Sequence, residues 1–177
     1  MYVWIHADPT VEPYFEMLNG ESMVKNYANR GQTIHDIMCH FQDIPENGAD
    51  IFHFKYVHRY LIAKYKMMEV SWKPKWKRGD DPELAEIFEH PSKGIREFKQ
   101  RLYNECVKPL PNKQYYSFGT VDNYMHLPLL GPTFFFNITI VQMGPALVNV
   151  FLKTHFFEVV FFQYMQPQGK YHQRLYH

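Results

Sequence analysis

The second half of the chain carries four apolar runs rich in Phe, Val and Ile, and short turns separate them. The turns include Gly131-Pro132 and Gly144-Pro145, and a tight connection lies near His155. Apolar runs bounded by turn residues predict β-strands, and strands this close in sequence pair as antiparallel neighbours. The predicted strands are Tyr115 to Asp122, Thr133 to Met143, Ala146 to Thr154 and Glu158 to Met165.

The first half alternates extended and helical patterns. Thr33 to Gln42 predicts an extended segment that leads into a helix beginning near Pro45, because proline suits the first helical turn. Pro82 to Phe88 predicts a short helix, and Ser92 to Cys106 has apolar residues at helical spacing. This order predicts an α+β domain in which helices pack on one face of a curved antiparallel sheet. Further short strands are predicted at Met1 to Ala7, Tyr14 to Leu18 and Lys66 to Trp72.

Length and composition narrow the function classes. The chain has 177 residues, enough for one domain with a core of its own. Its formal charge of +1 argues against nucleic acid as a partner. Cys39 and Cys106 show no paired spacing, so we expect no disulfide framework and an intracellular location. No apolar run in the sequence reaches the roughly 18 residues of a membrane span.

Two carboxylates and two histidines lie within thirteen residues, from Glu46 to His58. His53 and His58 are five residues apart, which places them about 140° apart around a regular α-helix. Both can bind one metal ion only if a π-bulge or a break loosens the backbone between them. The alternative is that they are ordinary packing or surface residues. His35 and His40 are expected to be structural histidines rather than ligands.

A basic and aromatic stretch runs from Trp72 to Arg78. One interpretation is a contact with a membrane surface or with an acidic electron-donor protein. The favoured interpretation is a solvated loop in which lysines cover tryptophans.

The residues Glu46, Asp50, His53 and His58 form the pattern Glu-x3-Asp-x2-His-x4-His. This pattern resembles the mononuclear iron motif of Rieske-type non-haem iron oxygenases. The longer run from His40 through His58 resembles the sterol branch of that family, which contains the Neverland-type cholesterol 7-desaturases and the ketosteroid hydroxylases. The resemblance implies a helix-grip (START-like) domain, with the substrate lying between sheet and helices.

The resemblance also implies roles for the motif residues. His53 and His58 correspond to the imidazole ligands of a mononuclear Fe(II), and Asp50 to the catalytic carboxylate that links this iron to the Rieske cluster of a neighbouring subunit. Glu46 and Asn47 would lie behind the ligands.

The third ligand is an acidic residue that relatives carry on a helix near the C-terminus. Asp122 and Glu158 are not assigned to it, because each lies in or beside a predicted strand. On chemical grounds, His172 and His177 are alternative candidates for the third ligand.

The family's Cys-x-His and Cys-x2-His signature for a [2Fe–2S] cluster does not occur in the sequence. We therefore expect residues 1–30 to be the tail of a Rieske domain or a linker, and residues 31–177 to be a C-terminally truncated mononuclear-iron domain. An N-terminal segment of the intact protein would hold the cluster and could anchor it to a membrane. The chain alone is expected to be inactive.

The implied activity is the 7,8-dehydrogenation of a sterol. It would use O2 and electrons from NAD(P)H, delivered by a reductase or ferredoxin to a homo-oligomer, a trimer in the family. Two alternatives stay open: a steroid hydroxylase of the same family, and a non-catalytic sterol- or lipid-binding module with a vestigial iron site.

Overall fold

The structure is a computed structural model, and it describes only part of the chain. Two of the predicted strands, Met1 to Ala7 and Tyr14 to Leu18, lie outside the described residues, as does Pro45. The described residues are Thr10 and residues 24–44, 46, 50, 52–57, 69–127, 131–144 and 146–177.

One antiparallel sheet organises the described part of the chain. Its seven strands lie in the order β1-β7-β6-β5-β4-β3-β2, so β1 and β2 are the edges. The four strands predicted in the second half are confirmed as β3 to β6, because their β-branched and aromatic residues suit a pleated, half-buried surface. The strands are β1 (Ile34–Ile37), β2 (Glu69–Arg78), β3 (Tyr116–Leu127), β4 (Gly131–Met143), β5 (Leu147–Thr154), β6 (Glu158–Gly169) and β7 (His172–Tyr176).

The helical segments lie mainly between β2 and β3. The helix predicted from Ser92 is confirmed as α2 (Lys93–Leu102), which continues directly into a π-helix, and the segment after Pro82 forms a short 3-10 helix. Together with the sheet these helices confirm the predicted α+β class. The helical segments are α1 (His53–Val57), α2 (Lys93–Leu102), the π-helix Tyr103–Val107 and the 3-10 helices Leu84–Phe88 and Lys113–Tyr115.

The core lies between these helices and one face of the sheet. Apolar side chains of α2, its π-helical continuation and the 3-10 helix meet alternate residues of β3, β4 and β5, since every second side chain of a strand points to the same face. Burial of this apolar surface is the main force that fixes the helices to the sheet. The core contains Leu84, Ile87, Phe88, Phe98, Leu102, Cys106, Val107, Leu110, Tyr116, Phe118, Val141, Met143, Leu147 and Phe151.

The stretch from Trp72 to Arg78 corrects one prediction. It is not a solvated loop, because it belongs to edge strand β2 and pairs in register with β3. Alternation places Trp72 and Trp76 on the face opposite the core, and it places Lys73, Lys75 and Lys77 on the other face. Pro74 and charged side chains are suited to an edge strand, because they discourage pairing with another chain.

Strand β7 was not predicted. Its sequence His-Gln-Arg-Leu-Tyr carries little apolar alternation, and β7 becomes a strand by pairing with β6 on one side and β1 on the other. Strand β6 also runs past its predicted end at Met165 as far as Gly169. Pairing with neighbouring strands therefore determines both the presence of β7 and the C-terminal end of β6.

Gly119 of β3 gives a first testable prediction. A Cβ at this position would lie 2.5 Å from Cζ3 of Trp76, so alanine forces the indole to move. We expect Gly119→Ala to lower the free energy of unfolding by about 1–3 kcal/mol, measured by urea denaturation. The matched control is Gly94→Ala in α2, where nothing lies within 4 Å of the added carbon. That control should leave stability unchanged or raise it by up to about 1 kcal/mol, and equal losses in both variants would contradict the prediction.

Candidate metal centre

The histidine motif begins on a turn that leads into α1. The Asp50 amide donates to the Glu46 carbonyl oxygen at 2.8 Å, and the His53 amide donates to the Asp50 carbonyl oxygen at 3.3 Å. Glu46 and Asp50 are exposed, and His53 is half-buried. The main chain therefore places the three motif residues on successive turns, with His53 as the first residue of α1.

A contact between a ring nitrogen and a main-chain oxygen orients His53. Its Nδ1 lies within hydrogen-bonding distance of the Asp50 carbonyl oxygen, the same oxygen that accepts the His53 amide. An imidazole that donates Nδ1–H to a main-chain carbonyl carries its lone pair on Nε2, which is the arrangement typical of a metal-binding histidine. The recorded contact with Asp50 is thus made through the main chain and not through the carboxylate.

The other motif residues lie outside the described part of the chain. Asn47 and His58 are among them, so the distance between the two predicted imidazole ligands is not described, and neither is the loosened backbone predicted between them. Among the described residues, no group of three or more His, Cys, Asp and Glu side chains could hold a metal ion. The roles of the motif residues stay predictions.

The late carboxylate Glu158 lies at the start of β6 and is held by basic and phenolic groups. It accepts from Lys153 Nζ at 2.9 Å, from Tyr27 Oη at 2.8 Å and from the Arg101 guanidinium. Burial alone would raise the pKa of Glu158, but these hydrogen bonds outweigh burial and lower the pKa. The same cluster raises the pKa of Tyr27 to about 12, through burial and the hydrogen bond to Glu158. Glu158 therefore joins α2 to the sheet.

A cavity of about 400 Å³ adjoins this cluster, between α2 and the β5–β6 turn. Its volume falls in the range of small-molecule sites. The walls are polar and charged, however, and a sterol is almost entirely apolar. The lining residues are Ser92, Gly94, Ile95, Glu97, Phe98, Arg101, Lys153, Thr154, His155 and Glu158.

The second late carboxylate, Asp122 of β3, accepts from a buried lysine. Lys99 of α2 is 0% exposed, and its Nζ lies 3.1 Å from Asp122 Oδ1. Asn137 Nδ2 donates to the same carboxylate at 2.7 Å, and His90 Nε2 lies 3.8 Å from it. Burial lowers the pKa of Lys99, and the Asp122 carboxylate opposes that shift. Burial likewise lowers the pKa of His90. Asp122 is thus committed to an ion pair beneath α2.

This buried pair was not predicted, although the sequence carries a signal for it. The buried residues of α2 are Ile95, Phe98, Lys99 and Leu102, which is the i, i+3, i+4, i+7 spacing of a helix face that points to a core. Lys99 occupies one position of that apolar stripe. A lysine there needs a buried anionic partner, because an isolated buried charge is very costly.

The two late histidines lie near the β1–β7 edge. His172 Nε2 lies 3.2 Å from Asp36 Oδ1, and His177 Nδ1 lies 3.2 Å from Gln163 Nε2. The His177 ring also meets His35 edge-on, with 5.5 Å between ring centroids. These contacts assign the two histidines to strand pairing.

Among the residues that the structure describes, no helix combines the length and the apolar character needed to cross a bilayer.

The chain is similar in sequence to several curated proteins that are named cholesterol 7-desaturase. Cholesterol 7-desaturase nvd 1 of Ciona intestinalis is 24% identical over 179 residues, covering 100% of this chain and 34% of that protein. Cholesterol 7-desaturase nvd of Xenopus laevis is 28% identical over 168 residues, covering 88% of this chain and 30% of that protein. Cholesterol 7-desaturase of Caenorhabditis elegans is 42% identical over 60 residues, covering 33% of this chain and 14% of that protein.

The chain spans about a third of the length of the relatives that match it throughout. No protein-family model matches it. No solved structure matches it. The chain is similar over all or most of its length to proteins named cholesterol 7-desaturase, in agreement with the Neverland-type resemblance of its histidine motif.

Proposed function

We propose that this chain is the mononuclear-iron part of a Rieske-type sterol desaturase that introduces the 7,8 double bond. The observation that carries the proposal is the histidine motif, in a chain similar over its whole length to proteins named cholesterol 7-desaturase. His53 and His58 are the imidazole ligands of Fe(II), and Asp50 is the neighbouring catalytic carboxylate. Glu46 and Asn47 have supporting roles behind these ligands.

The orientation of His53, the one proposed ligand among the described residues, suits such an ion. The main-chain carbonyl of Asp50 fixes the His53 ring so that Nε2 presents its lone pair. Because the main-chain carbonyl of Asp50 orients His53, the Asp50 carboxylate is not needed for that contact. The carboxylate is exposed, as its proposed catalytic role requires. When bound, ferrous iron held by two imidazoles and a carboxylate supplies oxygen activation.

The overall reaction removes one hydrogen from each of two adjacent sterol carbons. O2 takes up these two hydrogens, two electrons and two protons, and leaves as two water molecules. NAD(P)H would be the source of the electrons, delivered by a reductase or ferredoxin, and a [2Fe–2S] cluster and the iron held by His53 and His58 would supply the redox chemistry. In the family arrangement Asp50 connects the iron to the cluster of the next subunit, so the active form is a homo-oligomer, a trimer.

Under this proposal residues 31–177 form the iron domain and residues 1–30 a linker or the tail of the cluster domain. The cluster, the third iron ligand and a membrane anchor belong to other parts of a longer protein. Turnover is therefore a property of the longer protein, while Fe(II) binding to the two histidines is a property of this chain.

Two measurements test the proposal. Anaerobic titration of the chain with Fe(II) should give one bound ion per chain. A longer protein that contains this chain should convert cholesterol to its 7,8-unsaturated product in the presence of O2 and a reductase. A hydroxylated product would indicate the steroid hydroxylase alternative. A folded protein that binds sterol but neither iron nor O2 would overturn the proposal in favour of the lipid-binding module.

A further inference from the structure

The turn between β5 and β6 presents two aromatic side chains to solvent. Phe156 is 93% exposed and Phe157 is 53% exposed. Exposure of an apolar side chain as large as phenylalanine to water is unfavourable, so a pair held outward is costly unless something covers it. On the same strand face as Phe157, Val159 is half-buried and Phe161 is 44% exposed. We call these four residues the hairpin patch.

Hydrogen bonds within the turn pair the amides of both phenylalanines. Thr154 Oγ1 accepts the amide of Phe156 at 3.1 Å and the amide of Phe157 at 3.0 Å. The Thr154 amide donates to the Phe157 carbonyl oxygen at 3.0 Å. Backbone groups that enter a lipid environment must be paired internally, because no water is available there. This turn meets that requirement for the amides of both phenylalanines.

The base of the hairpin is fixed to the rest of the domain. Lys153 and Glu158 pair directly across β5 and β6, and their side chains form an ion pair at 2.9 Å. Glu158 also accepts from Tyr27 and from Arg101 of α2. A turn held in this way loses little conformational entropy when it binds, so more of the apolar contact energy appears as affinity.

The charges near the hairpin patch cancel one another. Arg101 and Lys153 both pair with Glu158, and Glu97 lies on the same side of α2. A partner recognised here is therefore recognised through apolar contact and not through a strong field. We propose that the hairpin patch inserts Phe156 and Phe157 into the headgroup and acyl-chain boundary of a zwitterionic phospholipid bilayer.

The inference deepens the proposed function, on which it rests for its biological meaning: sterols reside in bilayers, and a desaturase docked by this hairpin meets its substrate there. The docking itself does not depend on iron. The variant His53→Ala should therefore bind vesicles as the original chain does, and this separates failure of the docking surface from failure of the iron site.

The experiment is flotation of the chain with phosphatidylcholine vesicles. We expect binding that changes little with salt, and a loss of about tenfold in partitioning for each phenylalanine replaced by serine, up to about a hundredfold for F156S/F157S. The matched control is Tyr171→Ser at the opposite end of β6, where the tyrosine is 56% exposed. This control should float as the original chain does. Thr154→Ala should weaken binding and Thr154→Ser should preserve it.

Fluorescence quenching tests whether the side chain at position 156 enters the bilayer. Brominated phosphatidylcholine should quench the added emission of Phe156→Trp, and it should leave that of Tyr171→Trp unquenched. Equal flotation of F156S/F157S and the original chain would overturn the proposal. Absence of flotation would also overturn it. If the original chain does not float but self-associates and F156S/F157S stays monomeric, the patch is a protein interface instead.

Discussion

Replacing His53 by alanine is expected to abolish Fe(II) binding by the chain, and His58→Ala should do the same. Loss of a partner behind a metal ligand typically weakens binding by 10–100-fold, and loss of the ligand itself should exceed about a hundredfold. Asp50→Asn keeps the main-chain carbonyl that orients His53, so it should retain Fe(II) while stopping turnover in the longer protein. Anaerobic titration followed by metal analysis measures the first effect, and product formation measures the second.

The matched control for the histidine variants is His35→Ala. His35 is an exposed histidine that lies on edge strand β1 beside Leu175 of β7. Its removal should leave Fe(II) binding unchanged. Circular dichroism should show that every variant keeps its strand signal. Binding of Fe(II) by folded His53→Ala with the affinity of the original chain would contradict the proposed iron site.

Replacing Asp122 by alanine is expected to give the largest loss of stability. Lys99 would remain at 0% exposure without its carboxylate partner, and Asn137 would lose an acceptor at 2.7 Å. Removal of one partner of a buried ion pair costs about 3–5 kcal/mol, because the other charge stays buried and uncompensated. Urea denaturation with a tryptophan fluorescence signal measures the change.

Two further variants isolate the cause. The double variant K99M/D122N removes both charges and keeps similar side-chain volumes, so it should recover most of the stability lost in Asp122→Ala. Asp80→Ala removes an exposed partner of Arg78 and should change stability little. If the double variant is as unstable as the single one, the loss comes from packing and not from the buried charge.

Local sequence pattern was sufficient for strands β3 to β6 and for α2. In each of them the apolar residues repeat with the period of the element, and Gly131 and Gly144 supply positive φ angles of 72° and 58° at the ends of β4. Edge strand β2 was harder to predict. Its alternating Trp and Lys residues fit a strand, but Pro74 and the dense charge favoured a loop, and pairing with β3 overrode that local preference.

At the candidate site, too, some features could be predicted from the sequence and others could not. The spacing from Glu46 to His58 was enough to predict a family and the roles of individual residues, and similarity along the chain confirms the family resemblance. The spacing carried no information on how His53 is oriented. That orientation depends on a main-chain carbonyl one turn earlier, which any residue at that position could provide.

The period of each element and the chemical identity of the motif can be read from the amino-acid sequence, since both are properties of neighbouring residues. The contacts between distant groups, in contrast, follow from the packing of the sheet and helices. Lys99 pairs with Asp122, and Glu158 accepts hydrogen bonds from Lys153, Arg101 and Tyr27. Strand β7 lies between β6 and β1. These contacts join residues far apart in the chain, and their energy comes from burial and charge pairing that exist only after the sheet and helices have packed.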